Sequence, residues 1–265
     1  MRFTIFGSSG FIGSHLKDYL ERIEGAEVIC PTREEVLANR GDLGCVFYCI
    51  GMTGDFQEFP MQTVEAHVTL LKNILTRTKF EHFVYLSSTR IYGQSPATSE
   101  EDSLTVRPTV LSDIYNISKI MGESICLHVG QPNVKVVRLS NVFDYRFLNP
   151  VFTTYLYEKA MSGEPLTLLS QLGSAKDYIT IDNVVELIYK IAIHGTQVIY
   201  NVANGVNVTH DVLLKLLRER FPSLHVSVAQ ESPLVVNPSI DVARIATEFS
   251  FHPKPFERAF AQALN

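Results

Sequence analysis

Short apolar runs alternate with longer amphipathic stretches along most of this chain. Apolar runs bounded by glycine or polar positions are typical of buried strands, and apolar residues that recur every three or four positions are typical of helices. Strands are predicted at residues 2–6, 26–30, 44–51, 83–86, 133–139, 165–169, 197–202 and 224–228. Helices are predicted at residues 14–22, 62–79, 112–123, 150–162, 183–194 and 209–220, with two short ones after them. The alternation predicts an α/β protein built on a parallel sheet with helices on both faces.

The turn after the first strand is rich in glycine and leads directly into the first helix, with the spacing G-x-x-G-x-x-G. The first glycine permits a tight turn, the second lets a pyrophosphate approach the backbone, and the third lets the helix pack close to the strand. The first turn of the helix offers free N–H groups to phosphates. These features predict a dinucleotide-binding loop; the alternative is a glycine-rich connection without a ligand. The candidate cofactor residues are Gly7, Gly10, Phe11, Ile12 and Gly13.

The ends of the second and third strands bear on the choice of cofactor. The second strand ends in Pro31-Thr32-Arg33, where NAD-preferring sites place an acidic residue for the adenosine ribose. Arg33 can pair with a 2′-phosphate and Thr32 can donate a hydrogen bond to it, so NADP(H) is slightly favoured over NAD(H). The alternative is a solvated Arg33 satisfied by one of the two glutamates that follow it. Gly51, at the end of the third strand, is a further candidate cofactor residue.

Two later segments carry residues suited to acid–base chemistry. Tyr115 and Lys119 are four residues apart, so in a helix they project from one face. A phenol normally loses its proton near pH ~10, and a nearby ammonium group lowers that pKa, so the pair can exchange a proton with a substrate oxygen. Ser87-Ser88-Thr89 follows the fourth strand and can hydrogen-bond a substrate carbonyl or alcohol. The alternatives are a half-buried ring beside a solvated lysine, and a hydroxyl cluster that forms a turn or a helix cap.

Composition excludes several classes of partner. The chain has 265 residues, a formal net charge of −5, 46% hydrophobic and 19% charged residues, which describes an ordinary globular protein without an electrostatic case for nucleic acid or an anionic membrane. No signal sequence and no membrane-spanning run are predicted. The cysteines Cys30, Cys45, Cys49 and Cys126 lie in apolar runs, which predicts buried thiols in a reducing compartment, with no metal site. We therefore expect a cytoplasmic protein.

Taken together, five segments make the chain resemble an extended short-chain dehydrogenase/reductase of the nucleotide-sugar epimerase/dehydratase/4-ketoreductase group. The segments are Gly7-x-x-Gly10-x-x-Gly13, Ser87-Ser88-x-x-Ile91-Tyr92-Gly93, Tyr115-x-x-x-Lys119, residues 138–143 and residues 176–179. The resemblance covers nearly the whole chain. It implies a Rossmann-type doubly wound parallel sheet with a small C-terminal substrate-binding α/β part. The implied dinucleotide-binding domain is 1–145 and also receives 180–203; 146–179 and 204–265 form the substrate-binding domain.

The resemblance also implies roles for individual residues. It makes Ser88 the catalytic hydroxyl and Tyr115 the acid/base, while Lys119 lowers the pKa of Tyr115 and holds the nicotinamide ribose. Asn141 falls where the family contacts the substrate diphosphate, and Lys176 where it often has an arginine near the nucleotide. The implied substrate-binding residues are Ser88, Thr89, Asn141 and Lys176. A homodimer through the two long helices that begin near residues 62 and 112 is implied as well.

Several positions depart from the family pattern. Relatives that catalyse 4,6-dehydration carry an acidic pair just after the catalytic hydroxyl, and this chain has Thr89-Arg90 there. The carboxylates that elimination needs are therefore absent, which argues against a dehydratase. Lys176 in place of arginine loses bidentate phosphate pairing. His67 stands where many relatives have a cofactor-side asparagine, and the C-terminal part is short for the group.

These observations predict an NAD(P)-dependent oxidoreductase that acts on a nucleotide-activated sugar, with Tyr115 as acid/base. A 4-keto-sugar reductase is favoured, because Arg33 suggests NADPH, a dissociable reductant. The first alternative is a nucleotide-sugar epimerase that retains its cofactor. The second is a non-catalytic dinucleotide-binding sensor or scaffold, against which the joint presence of Ser88, Tyr115 and Lys119 argues.

Overall fold

The computed structural model describes residues 1–32, 34–35, 41–93, 95–146 and 151–264. The strands are β1 (Arg2–Phe6), β2 (Glu27–Ile29), β3 (Cys45–Tyr48), β4 (His82–Ser88), β5 (Val134–Leu139), β6 (Asn141–Phe143), β7 (Leu166–Leu168), β8 (Ala175–Thr180), β9 (Ile199–Val202), β10 (Asn207–Thr209) and β11 (Val226–Val228). The helices are α1 (Phe11–Leu20), α2 (Pro60–Val64), α3 (Leu70–Arg77), α4 (Asp113–His128), α5 (Phe152–Ser162), α6 (Ile181–His194), α7 (His210–Arg220), α8 (Ala243–Phe249) and α9 (Phe256–Ala263).

Six parallel strands form the main sheet in the order β2-β1-β3-β4-β5-β9. The chain leaves β1 toward β2 and then crosses back to β3, so the strand order reverses between β1 and β3. In open parallel sheets, ligands bind at such a reversal, outside the carboxyl ends of the strands. The predicted α/β class with a parallel sheet is confirmed, and β9 returns the chain to this sheet beside β5.

Alternate residues of the central strands feed two apolar layers on opposite faces of the sheet. Val84 and Leu86 of β4 pack in the layer that α1 and α6 cover, whereas Phe83 and Tyr85 pack in the layer that α3 and α4 cover. All four side chains are buried. Burial on both faces explains why β3 and the middle of β4 read as continuous apolar runs.

A second apolar core lies beneath two smaller sheets in the C-terminal part. The sequence prediction missed one of them, the three-stranded sheet β10-β8-β6, because β6 and β10 have three residues each and β8 has two charged residues, Lys176 and Asp177, after its first position. The other small sheet pairs β11 with β7, and both of these strands were predicted from the sequence. Helices α5, α7 and α9 cover this core, which contains Phe143, Leu156, Leu213 and Phe260.

The predicted helix at 62–79 begins at Pro60, ends at Arg77 and contains one irregular turn. Residues Glu65–Thr69 between α2 and α3 are π-helical, so one extra residue is accommodated in that turn. The irregular turn contains His67, whose side chain is fully buried. Apolar periodicity predicted the helix but contains no signal for the π turn.

A buried polar network joins α4 to strands β5 and β9 of the main sheet. Arg138 of β5 donates hydrogen bonds to both carboxylate oxygens of Glu123, with Nη2 at 2.8 Å from Oε2, and to the Tyr92 hydroxyl at 2.8 Å. The Tyr92 hydroxyl in turn donates to the Asn201 amide oxygen of β9 at 2.8 Å. Arg138 and Glu123 are both buried, so each charge depends on the other for compensation.

We expect Glu123→Gln and Arg138→Met each to lower the free energy of unfolding by about 3–5 kcal/mol, because each leaves one buried charge without its partner. The double substitution should cost less than the sum of the two single ones. Denaturant unfolding measures these values. Lys17→Met is the control, since its ion pair with Glu21 is on the surface and should barely change the melting temperature. Additive effects of the two single substitutions would contradict a coupled pair.

Candidate functional site

The glycine loop joins β1 to α1 at the carboxyl edge of the main sheet. Gly7 has φ +85°, and a Cβ there would lie 2.9 Å from the backbone of Cys49 and Ile50. A Cβ on Gly13 would lie 2.2 Å from the Gly7 carbonyl oxygen, whereas one on Gly10 would meet that oxygen at 3.3 Å. Gly7 and Gly13 are therefore required by the loop itself, while Gly10 leaves its backbone open to a ligand.

The N-terminus of α1 has the form of an anion site. Gly10 is the N-cap and no side chain caps the helix there, so the first-turn N–H groups around Phe11 and Ile12 are not used by a capping side chain. Both residues are half-buried. The residues present therefore fit the pyrophosphate of a dinucleotide.

Of the two residues proposed for a 2′-phosphate, the structure describes one. Thr32 is exposed, its backbone N–H donates to the Glu35 carboxylate at 2.8 Å, and its hydroxyl accepts from the Glu35 N–H at 3.4 Å. This reciprocal pair is a helix capping box. The Thr32 hydroxyl proton is free to be donated, as the prediction requires. Arg33 lies outside the described residues.

Tyr115 lies at one end of the crevice outside the carboxyl ends of the strands. Side chains from three other segments enclose it. Its ring centroid is 5.3 Å from that of Phe56, 5.3 Å from that of His67 and 5.6 Å from the Arg90 guanidinium carbon. The Ser88 side chain faces its phenol and favours the ionised form. The structure thus brings together the predicted pair Ser88 and Tyr115.

The electrostatic environment of Tyr115 differs from the one expected. Burial raises the pKa of Tyr115 above its ordinary value, and Ser88 and then Arg90 oppose that rise. Lys119, expected to lower this pKa, is not among the causes. Burial lowers the pKa of Lys119 itself to about 7, its Nζ donates to the Leu86 carbonyl at 2.8 Å, and it lies 5.9 Å from the Tyr115 ring centroid. In the free protein the Lys119 ammonium is thus directed at a backbone carbonyl, close to the Tyr115 ring.

Lys119 does lie where the proposed cofactor residues meet. A Cβ on Gly51 would be 3.5 Å from Lys119 Nζ and 3.3 Å from His67 Nε2. Gly51 follows β3, the neighbour of β1, so Lys119 faces the same crevice as the glycine loop. The arrangement fits a lysine that contacts the ribose next to the reacting end of a dinucleotide.

His67 is part of a hydrogen-bond chain that the sequence interpretation did not anticipate. The Ser118 hydroxyl donates to the Tyr115 carbonyl at 2.9 Å, so Ser118 accepts from His67 Nδ1 at 2.8 Å. His67 Nε2 then accepts from the Met52 N–H at 3.2 Å. Burial and then Lys119 lower the pKa of His67 to about 2, which keeps this single tautomer neutral. His67 therefore joins the Gly51–Met52 loop to α4.

The predicted substrate residues lie beyond Ser88 along the same edge. Asn141 is exposed and donates to the Asp177 carbonyl at 2.8 Å, and Thr89 begins the 3₁₀ turn Thr89–Tyr92. Lys176 Nζ lies 5.6 Å from the Phe152 ring centroid, and burial and then Arg90 lower its pKa. Arg90 thus links the Tyr115 region to the Lys176 region. The sequence interpretation noticed Arg90 only as a departure from the acidic pair.

Comparison with known proteins identifies the family. The model of the NAD dependent epimerase/dehydratase family matches residues 34–203, which is more than half of the 265 residues. The chain belongs to this family. The predicted membership in the extended short-chain dehydrogenases/reductases is thereby confirmed, and the protein is an enzyme of the nucleotide-sugar epimerase/dehydratase/reductase group.

Individual family members match the chain over most of its length. The GDP-6-deoxy-D-mannose reductase of Pseudomonas aeruginosa is 24% identical, with 82% of this chain and 79% of that protein covered. The structure of RMD from Pseudomonas aeruginosa complexed with NADPH has a TM-score of 0.81 at 22% identity and covers 100% of this chain and 98% of that one. The UDP-glucuronic acid 4-epimerase from Bacillus cereus, in complex with UDP-glucuronic acid and NAD, has a TM-score of 0.82 at 16% identity, covering 99% and 97%. At these identities the structures establish the Rossmann-type fold.

Membrane insertion by a helix finds no support in the part of the chain that the structure describes, since none of its helices is long and apolar enough to cross a bilayer.

The low pKa of Lys119 predicts a pH dependence of stability. Its pKa is 10.5 when unfolded and about 7 when folded. Between these values the unfolded state binds more protons, so this residue makes the free energy of unfolding rise with pH across that window. Lys119→Met should remove the contribution, so the wild-type minus variant difference should increase from pH 7 to pH 10. Lys72→Met, at an exposed position of α3, corrects for the general loss of a positive charge. A difference that is flat with pH would contradict the depressed pKa.

Proposed function

We propose that this protein uses NAD(P)H to reduce a keto group, most simply the 4-keto group, of a nucleotide-activated sugar. The observation that carries the proposal is the juxtaposition of Ser88 and Tyr115 with Lys119 and Gly51 at the carboxyl edge of the sheet. Binding alone does not require a hydroxyl and a buried phenol to converge beside the cofactor crevice. An acid–base reaction on a substrate oxygen does.

The proposed mechanism assigns one role to each side chain. The bound nicotinamide supplies the hydride. Ser88 donates a hydrogen bond to the substrate carbonyl oxygen and polarises it, and Tyr115 donates its phenolic proton to that oxygen as the carbon is reduced. Lys119 and Gly51 hold the end of the cofactor nearest the substrate. The products are the sugar alcohol, the oxidised dinucleotide NAD(P)+ and a Tyr115 phenolate, which regains its proton from solvent.

A dehydratase is disfavoured by the side chain that follows Ser88 and Thr89. Arg90 places a permanent positive charge at the position where elimination needs a carboxylate base. Fewer observations distinguish a reductase from an epimerase. The reductase of Pseudomonas aeruginosa supports the first and the epimerase of Bacillus cereus supports the second. We favour the reductase, because Arg33 suggests a dissociable NADPH.

The proposed assignments extend to the remaining site residues. Gly7, Gly10, Phe11, Ile12, Gly13, Thr32 and Arg33 are proposed to bind the dinucleotide, with NADP(H) slightly favoured. Thr89, Asn141 and Lys176 are proposed to bind the nucleotide sugar. The cytoplasmic location, the homodimer and the division into two domains stay predictions. The homodimer is supported by exposed apolar side chains next to or on the two helices expected at its interface, Met61, Leu111 and Met121.

Gly10→Ala tests the cofactor site. A Cβ at this position meets only the Gly7 carbonyl at 3.3 Å, so we expect the fold to tolerate it while the methyl group obstructs the pyrophosphate. Fluorescence titration with NADPH and NADH should show at least about a tenfold weaker binding, with a melting temperature close to wild type. Gly54→Ala is the control, because a Cβ there has no neighbour within 4 Å. Unchanged affinity for both cofactors would remove Gly10 from the site.

Tyr115→Phe tests the chemistry. We expect turnover to fall by about 10²–10⁴-fold, because the substituted ring keeps its packing but has no proton to donate. Cofactor affinity should change little. Tyr19→Phe is the control, since Tyr19 packs against Tyr189 in the layer beneath α1 and α6. Full activity of Tyr115→Phe would show that another group is the acid.

The consumption of cofactor distinguishes the two reactions. The purified protein is given NADPH or NADH with a panel of nucleotide 4-keto-sugars, and the reduced-nicotinamide absorbance is followed. A stoichiometric loss of absorbance establishes the reductase and names its cofactor. Inversion of a sugar centre without net loss establishes the epimerase instead.

A further inference from the structure

Arg90 stands out because its side chain lies next to the phenol of Tyr115 without an opposing carboxylate. Its guanidinium carbon is 4.7 Å from the Phe56 ring centroid and 5.6 Å from the Tyr115 ring centroid. Across the described residues it forms no ion pair. Its charge is therefore uncompensated, and Phe56 holds it at the mouth of the site by a cation–π contact.

Arg90 also contacts the second residue of the proposed chemistry. Its backbone N–H donates to the Ser88 Oγ at 3.2 Å, in the cap of the 3₁₀ turn that begins at Thr89. That bond occupies a lone pair of the hydroxyl and directs its proton elsewhere. One residue thus orients Ser88 through its backbone and faces Tyr115 through its side chain.

The other ionisable groups around Tyr115 are poor sources of positive charge. Burial holds Lys119 at a pKa of about 7, and its ammonium donates to the Leu86 carbonyl. His67 adds no positive charge, because its pKa is lowered to about 2. Tyr85 adds no negative charge, because burial raises its pKa well above the ordinary value. Lys176 faces Arg90 from β8, and the two cations disfavour each other. The guanidinium of Arg90 places a positive charge next to Tyr115.

We propose that Arg90 is a positioning residue of this site, whose guanidinium stabilises the phenolate of Tyr115 and whose backbone N–H orients Ser88. This inference rests on the proposed function, since it concerns the acid/base of that reaction. It adds the charge of Arg90 to the role that the resemblance gives to Lys119. It also explains the cation in place of the acidic pair: a carboxylate there would hold the phenol in its neutral form.

Side-chain substitutions separate the two contributions of Arg90. Every substitution retains the backbone N–H to Ser88. Arg90→Met removes both the charge and the planar contact with Phe56, while Arg90→Lys keeps a charge and loses only the planar contact. Phe56→Leu keeps the guanidinium and loses the ring that holds it. Arg218→Met removes one charge from an exposed position of α7 and serves as the control.

The decisive measurement is the ionisation of Tyr115 in the free protein. Each variant carries ζ-¹³C-labelled tyrosine, and the Tyr115 resonance is assigned by its loss in the corresponding Tyr115→Phe protein. We expect Arg90→Met to raise the pKa of Tyr115 by roughly one or more, Arg90→Lys and Phe56→Leu to raise it less, and Arg218→Met to leave it unchanged. A Tyr115 resonance that titrates alike in wild type and Arg90→Met would overturn the proposal.

A kinetic measurement separates this inference from the proposed function. In the active enzyme, the decline of kcat/KM for reduction at high pH should move to higher pH in Arg90→Met and not in Arg218→Met. The titration of the free protein needs neither cofactor nor substrate. If no nucleotide sugar is turned over, the proposed function fails while the titration still tests Arg90; if turnover is present and the titration is unchanged, only the role of Arg90 fails.

Discussion

The ion pair between Arg138 and Glu123 connects the chemistry of this protein to its core. Glu123 lies one helical turn beyond Lys119 on α4, and Arg138 lies in β5, between β4 and β9 of the main sheet, so the pair fixes the rotation of the helix that carries Tyr115. The same guanidinium binds the Tyr92 hydroxyl, at the end of the 3₁₀ turn that positions Ser88 and Arg90. The buried guanidinium of Arg138 therefore fixes both α4, which carries Tyr115, and the turn that positions Ser88 and Arg90. The ion pair contributes less to the net free energy of folding than to the selection of this one packing of α4 on the sheet.

Burial dominates the electrostatics of the site. Tyr115, Lys119 and His67 are each displaced toward their neutral forms, by the same desolvation. A charge supplied from the rim of such a site costs less to keep, because water still screens it. The exposed guanidinium of Arg90 lies at such a position.

Features set by local spacing could be predicted from the sequence. Features that form only when distant segments come together could not. The main sheet follows from apolar runs, and the glycine loop and Tyr115-x-x-x-Lys119 follow from short spacings. The sheet of β6, β8 and β10 was missed because three-residue strands carry too little periodicity. Phe56 and Ser118 were not recognised, because the first comes from a distant loop and the second forms its bond with His67 only when two helices pack together. The depressed pKa of Lys119 was not anticipated for the same reason, since burial cannot be read from spacing.

The π-helical turn at Glu65–Thr69 has a consequence for how this chain is aligned with its relatives. An α-helix advances about 100° per residue, so one inserted residue rotates everything on one side of the turn by that angle relative to the other. The buried faces of α2 and α3 are therefore out of phase in a strictly α-helical register. A strictly α-helical reading of the sequence would place His67 on a different face from the one it occupies. The equivalence of His67 to a cofactor-side residue of a relative therefore depends on whether the relative's helix contains the same extra residue.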